Sequence, residues 1–171
     1  MLTDGVITLR HPEPSDAQAI YEACQDPEIP KWTNVPSPYT RPHAVQWIEH
    51  TKHERAAGRT EAFLAEMDGQ LVASCSLLEL DKAPDYGEIG YWVAAPARQR
   101  GVATRAVSLL REFGENELGL TTIEMLIHED NVPSRRTAER AGFRETGARR
   151  PAPRTATPGP PNHVVYGWSA E

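Results

Sequence analysis

The sequence predicts an α+β fold built on one mostly antiparallel sheet, and three observations predict it. Two strand-like runs, 60–67 and 70–80, are joined by Asp68-Gly69, a dipeptide that accepts positive φ and so signals a tight hairpin. From Tyr86 onward, strand-like and helical patterns alternate, as they do where helices cover a sheet. Over residues 93–104 a strand-like run passes through a small-residue, arginine-bearing turn straight into a helical pattern.

The elements follow in order. Residues 6–9 read as a first strand, and Ser15 is placed to cap a helix with Ala17, Ile20, Tyr21 and Cys24 at helical spacing. Residues 26–40 (DPEIPKWTNVPSPYT) read as an irregular proline-rich loop, in which Trp32 and Tyr39 either fold back on the core or line a binding site. Pro42 opens a second helix that buries Ala44, Trp47, Ile48 and Thr51 and ends near Gly58. After the hairpin comes a strand over 86–93. The next helix spans about 104–118, with Ala103, Ala106, Val107, Leu110 and Phe113 on its buried stripe and Gly119 as its stop. A strand over 121–128 turns Ile123, Met125 and Ile127 to one side. Asn131 then caps a short helix with Pro133 in its first turn and Ala138 facing inward, and Gly142 ends it in a left-handed cap. Residues 143–148 extend again. The run RRPAPRTATPGPPN (149–162, the loop proper at 150–161) is too proline-rich for regular structure and reads as an extended surface loop. A last strand covers 163–169.

A chain of 171 residues suits one domain, taken here as 1–171. No run has the length of a membrane span, and the first ten residues lack an apolar signal core, so no membrane partner is expected and the expected location is cytoplasmic. Cys24 and Cys75 have neither metal nor redox spacing and read as buried free thiols. The six histidines are scattered, and no metal site is expected. A net charge of -6 disfavours nucleic acid as a partner and suits a cationic amine.

The chemistry is concentrated at Arg98-Gln99-Arg100-Gly101-Val102-Ala103-Thr104. A turn feeding a helix start offers unpaired backbone N–H groups and the positive end of the helix dipole, which together attract an anion such as a pyrophosphate. The guanidinium groups of Arg98 and Arg100 add charge of a shape that fits phosphate oxygens, and Gly101 lets the backbone approach closely. A nucleotide P-loop is excluded because no Gly-Lys-Ser/Thr closes the turn. A dinucleotide fingerprint is excluded because only Gly101 of its three glycines is present. The alternative is a basic turn that merely caps a surface helix.

Arg98-x-x-Gly101-x-Ala103 after a strand, followed by Asn131-x-x-Ser134 and Ala141-Gly142-Phe143, resembles the GNAT superfamily of acyl-CoA-dependent N-acetyltransferases. The strings GEIGYWV, ARQRGVAT and EDNVPSRRTAERAGF, with the opening ITLRHPEPSDAQAIYE, look like its branch of ribosomal-protein N-terminal acetyltransferases (RimJ/RimL). The resemblance spans the chain to about Arg149. It implies a sheet that splays between two parallel strands, with about four flanking helices and acetyl-CoA lying in the gap. Backbone groups of Trp92, Val93 and Ala94 would bond the cofactor, residues 98–104 would cradle its pyrophosphate, and Asn131 and Ser134 would lie against its pantetheine arm.

The implied reaction is direct attack of a primary amine, either a protein N-terminal α-amine or a small molecule, on the thioester. A homodimer is a further expectation. Glu88, on the cofactor strand and alternating away from Ile89 and Tyr91, is the candidate base and acceptor contact; the alternative is a surface glutamate. Ser134 is the candidate proton donor to the leaving thiolate, because the position where many members carry Tyr holds Ala138 here; its alternative is a plain helix-cap hydroxyl. Trp32 and Tyr39 are the other expected acceptor contacts. A second function class, a non-catalytic acyl-CoA sensor of the same fold, follows from that missing tyrosine.

Overall fold

In the computed structural model, which describes residues 1–155 and 159–170, the strands are β1 (Leu2–Thr3), β2 (Thr8–Arg10), β3 (Glu61–Met67), β4 (Gln70–Leu78), β5 (Tyr86–Val93), β6 (Thr122–His128), β7 (Arg144–Arg150) and β8 (His163–Ser169). They form one sheet in the order β1-β2-β3-β4-β5-β6-β8-β7. Every pairing among the described residues is antiparallel except β5 with β6. The hairpin forms as its dipeptide requires, with Asp68 at φ 54° and Gly69 at φ 74°.

Among the described residues, five α-helices cover the sheet: α1 (Ala17–Ala23), α2 (Glu28–Trp32), α3 (Arg41–Ala56), α4 (Val102–Leu118) and α5 (Val132–Arg140). They divide between two cores because strand residues alternate in direction. Leu64 and Trp92 face Ile20, Ile29, Ala44 and Ile48 of α1–α3. Phe63, Ile89, Tyr91 and Val93 face Val107 and Leu110 of α4 and Ala138 of α5. α4 lies close on the sheet at Gly114, where an added Cβ would stand 3.0 Å from Ile123 Cδ1 and 3.1 Å from Leu120 Cδ1.

The feature that creates the site is where β5 and β6 stop pairing. Their register holds only for Tyr86↔Thr122, Gly87↔Ile123 and Glu88↔Glu124. Beyond it β5 stays with β4 as far as Val93, and β6 stays with β8 as far as His128. The sheet therefore opens from Glu88 and Glu124 outward, leaving strand edge on either side of a gap.

Several expectations need correction. The first strand is β2, displaced toward Arg10, and a short β1 precedes it. Ser15 does not cap α1. A 3-10 turn, Pro14–Asp16, leads into the helix, and the Asp16 carboxylate accepts the Glu13 N–H at 2.7 Å. Residues 26–40 are not wholly irregular, since Pro27 and Glu28 start the five-residue α2. α4 begins at Val102 rather than near 104. β7 runs on through Arg149 and Arg150, because β8 pairs with both. The expected loop over 150–161 thus loses its first residue to the sheet, and its residues 156–158 lie outside the described residues.

Asp16 ties the opening of the chain together. Arg10 donates from both terminal nitrogens to its carboxylate, at 2.8 and 2.7 Å, and from Nε to Glu66 on β3 at 2.8 Å. Burial pushes the Asp16 carboxyl up, but the Arg10 guanidinium and the Glu13 N–H outweigh it, so its pKa lies below the ordinary 3.8. A lowered carboxyl pKa contributes stability that is complete above the ordinary value and is lost as pH falls through the folded one. Asp16→Asn should therefore cost about 3 kcal/mol in denaturant unfolding at pH 7, and the difference from the parent protein should shrink below pH 4.

Candidate active site

The turn after β5 is built to expose backbone donors. A 3-10 turn, Ala95–Ala97, leads to Gln99 at φ 61° and Gly101 at φ 77°, both left-handed. Gly101 is the N-cap of α4 and has no side chain to cover the N–H groups of Val102, Ala103 and Thr104. The first bond of this helix runs from the Arg105 N–H to the Gly101 carbonyl at 3.1 Å. Nothing lies within 4 Å of where a Gly101 Cβ would be, so the space above the helix start is open. These are the features of a seat for a phosphate group.

The gap and this seat belong to one cleft of about 1360 Å³. Its walls include residues 88–93, Arg98, Gln99, Gly101, Val102, Ala103, Thr104, Asn131, Ser134, Trp32 and Tyr39. Arg136 and Arg140 of α5 also line it and add positive charge. Arg100 is exposed beside the turn.

Two of the expected cofactor contacts already make bonds within the protein. Arg98 does not stand free over the turn: its Nε donates to the Val93 carbonyl at 3.2 Å and its Nη2 lies 2.6 Å from Asp26 Oδ2. It clamps the end of β5 to the segment after α1. Ala94 donates its N–H to the Val72 carbonyl and its carbonyl accepts the Ala97 N–H, both at 2.9 Å, so its N–H is already committed. Because backbone groups alternate along a strand, the Ala94 bond to β4 also turns those of Trp92 toward β4 and those of Tyr91 and Val93 toward the gap.

The same alternation puts the two candidate catalytic groups on opposite faces. Ser134, near the start of α5, lies on the α4–α5 face, where its Oγ accepts the Tyr91 hydroxyl at 2.9 Å. The Asn131 side-chain oxygen caps α5 by accepting the Ser134 N–H at 3.3 Å, leaving its NH2 as the amide's remaining donor. Ala138 is fully buried in the core. A tyrosine hydroxyl nevertheless reaches Ser134, from strand β5 rather than from the helix. Burial raises the Tyr91 pKa, which keeps the phenol protonated and donating. Tyr91 is the functional candidate that sequence reasoning missed, since its alternation with Ile89 marked it only as core.

Glu88 lies on the α1–α3 face at the last rung of the β5–β6 pairing. It is 4% exposed, so it is no surface glutamate. Arg154 donates from Nη1 to its Oε1 at 2.6 Å. Gly90, two residues on, leaves the sheet bare between Glu88 and Trp92 and so keeps this face of the gap accessible. Across from it the Trp32 and His128 rings lie 5.5 Å apart and His128 and His163 5.3 Å apart, a cluster of rings at the mouth of the gap. Burial and the neighbouring His128 lower the pKa of His163. Tyr39, in contrast, is held in the α1–α3 core, where burial raises its pKa.

A sheet opened beside a bare helix start, with a carboxylate on one face and a hydroxyl pair on the other, fits a phosphate-bearing thioester and an attacking amine. The protein class is thus an acyltransferase. The family model for the acetyltransferase (GNAT) domain matches residues 7–144, and the chain belongs to that family. It is 28% identical over 145 residues to the uncharacterized N-acetyltransferase p20 of Bacillus licheniformis, covering 82% of this chain and 80% of that one. It is 27% identical over 147 residues to the L-amino acid N-acetyltransferase AaaT of Escherichia coli, covering 82% and 85%. Among solved structures, RimJ of Mycobacterium smegmatis in complex with CoA-disulfide aligns with a TM-score of 0.81 at 25% identity, over 97% of this chain and 83% of that one. The chain is an N-acetyltransferase that uses acetyl-CoA.

Gly101→Glu should weaken coenzyme A binding by at least about a hundredfold in calorimetric titration, because it sets a carboxylate in the phosphate seat and forces a bulky side chain into positive φ. Unchanged affinity would remove the seat from this turn.

Proposed function

We propose that residues 1–171 form one acyltransferase domain that acetylates a primary amine, held on the Glu88 face of the gap, by direct attack. The observation that carries this reading is the placement of Glu88 and the Tyr91–Ser134 pair on opposite faces of the same opening. Acetyl-CoA supplies an activated acetyl carbonyl. The N–H groups of Gly101 to Thr104 hold its diphosphate, with Gln99 and Arg100 beside them. The Asn131 amide holds its pantetheine arm, and the Val93 N–H faces the oxygen on which negative charge develops.

Glu88 takes the proton that an ammonium must lose before its nitrogen can attack. That need is real at neutral pH: about one lysine amine in a few thousand is neutral, and about one α-amine in ten. On the other face, the Tyr91 hydroxyl donates to Ser134 Oγ, so the Ser134 proton is directed away from Tyr91 and is available to the departing thiolate. Neither cysteine takes part; burial pushes the Cys24 and Cys75 thiols up to about 12, which keeps them protonated.

The acceptor is a protein N-terminal α-amine or a small-molecule amine, with Trp32 and Glu88 both lining the cleft it would enter. The motif resemblance to the ribosomal-protein N-terminal acetyltransferase branch supports the first, and the likeness to an L-amino acid N-acetyltransferase supports the second. Thiol release from acetyl-CoA, measured over peptides with free N-termini and over free amino acids, separates them. The sensor alternative is not favoured, since the curated relatives are N-acetyltransferases. Two buried unpaired cysteines suit a reducing, cytoplasmic setting.

Glu88→Gln should lower the rate about a hundredfold at pH 7 and much less near pH 10, where acceptor amines are already neutral. An equal loss at all pH values would instead make Glu88 a binding group. Ser134→Ala should lower kcat about a hundredfold. Tyr91→Phe should lower it only about fivefold, the worth of one orienting hydrogen bond; equal losses for the two would make Tyr91 the proton donor itself.

A further inference from the structure

The carboxylate read above as the acceptor's base is already held by a cation of the same chain. Glu88 and Glu124 are register partners at the last rung before the sheet opens. Each is met by an arginine arriving from the end of β7: Arg150 bonds Glu124 at 2.7 and 3.3 Å, and Arg154 bonds Glu88 at 2.6 Å. The two pairs differ in setting. The Glu124 carboxylate also accepts the Tyr86 hydroxyl at 2.8 Å, so it stays partnered without its arginine. Glu88 has Arg154 as its charged partner, and Arg154 Nη1 also lies 3.9 Å from Glu79 Oε1.

Arg154 reaches this position from a left-handed backbone, at φ 57°, a conformation that costs a non-glycine residue energy and is kept only when something compensates. Its segment is tied across the cleft by one bond, from Asn34 Nδ2 to the Pro153 carbonyl at 2.9 Å. Arg154 and Glu88 together line both the main cleft and a smaller cavity of about 340 Å³ beside it. Removing the guanidinium from this place would leave Glu79 and Glu88 facing the joined space.

We propose that Arg154 is a built-in occupant of the acceptor-nitrogen seat: its guanidinium sits on Glu88 where the substrate's ammonium must sit, and the acceptor binds by displacing it. This rests on the reading of Glu88 as the acceptor's contact. The class of acceptor follows from the exchange. A cationic nitrogen replaces a cation and leaves the charge around Glu79 and Glu88 balanced, whereas an uncharged nucleophile, such as an amide or an alcohol, would leave two carboxylates without their counter-charge. The same exchange sets affinity, because binding is weakened by the fraction of time that the seat is filled from within.

The test titrates n-butylammonium into the protein saturated with coenzyme A, so that no turnover occurs, and follows the backbone amide signals of Gly87, Glu88 and Ile89. Arg154→Ala should bind the probe about tenfold more tightly than the parent protein, as for a seat open roughly one-tenth of the time. Arg154→Lys should stay near the parent value. Methylguanidinium should compete with the probe in Arg154→Ala and refill the seat. Arg150→Ala should leave probe affinity unchanged. Equal or weaker binding by Arg154→Ala overturns the inference while leaving Glu88 free to act as base. Tighter binding that survives in the Arg154→Ala/Glu88→Gln double variant places the probe elsewhere and overturns the reading of Glu88 as well.

Discussion

The parting of β5 from β6 after one short stretch of parallel pairing is the constraint on which the rest of the structure depends. Strand edge left without a neighbour is normally a liability, because its N–H and C=O groups lack partners. Here the opening is held by the strands' other edges: β5 keeps its pairing with β4, and β6 keeps its pairing with β8. The α4–α5 core also bridges the opening, since Phe63 and Ile89 of one half and Ile123, Met125 and Val164 of the other belong to the same buried cluster. Pairing on the outer edges and a shared core on one face together hold the two halves in place, so the gap between them can remain open to a ligand that completes it.

Charge is arranged around this opening in two zones. The far end presents the helix start of α4, and Arg136 and Arg140 line the same cleft, a setting for an anion. The closed end carries Glu79, Glu88 and Glu124, a setting for a cation, and the chain itself supplies that cation through Arg150 and Arg154. A net charge of -6 describes neither zone. An acidic protein can bind a polyanionic cofactor because the field at the site comes from a few fixed groups within a Debye length.

The motif residues were legible because each obeys a local rule. Asp68-Gly69 makes a hairpin wherever it flanks extended runs, and Gly101 and Gly142 take positive φ because their places demand it. Asn131 caps the helix it precedes. Other features depended on partners distant in sequence. Ser15 lost the cap to the Glu13–Asp16 pair because Asp16 is also the seat of Arg10. Arg98 was read as a phosphate ligand, yet Asp26 lies close enough to claim it. Tyr91 looked like core until α5 brought Ser134 to its hydroxyl.

The amino-acid order alone determined most of the element types, the turn that opens α4 and the family, because these follow from periodicity, from backbone preferences at single residues and from short motifs. Tertiary structure alone decided which charges meet. Glu88 and Arg154 are 66 residues apart and Asn34 and Pro153 are 119 apart, and no local pattern encodes a contact made by the closing of a sheet and the return of a loop. The physical reason is that propensity acts through neighbours along the chain, whereas a buried ion pair is fixed by where the low-dielectric interior forms and which partners it encloses.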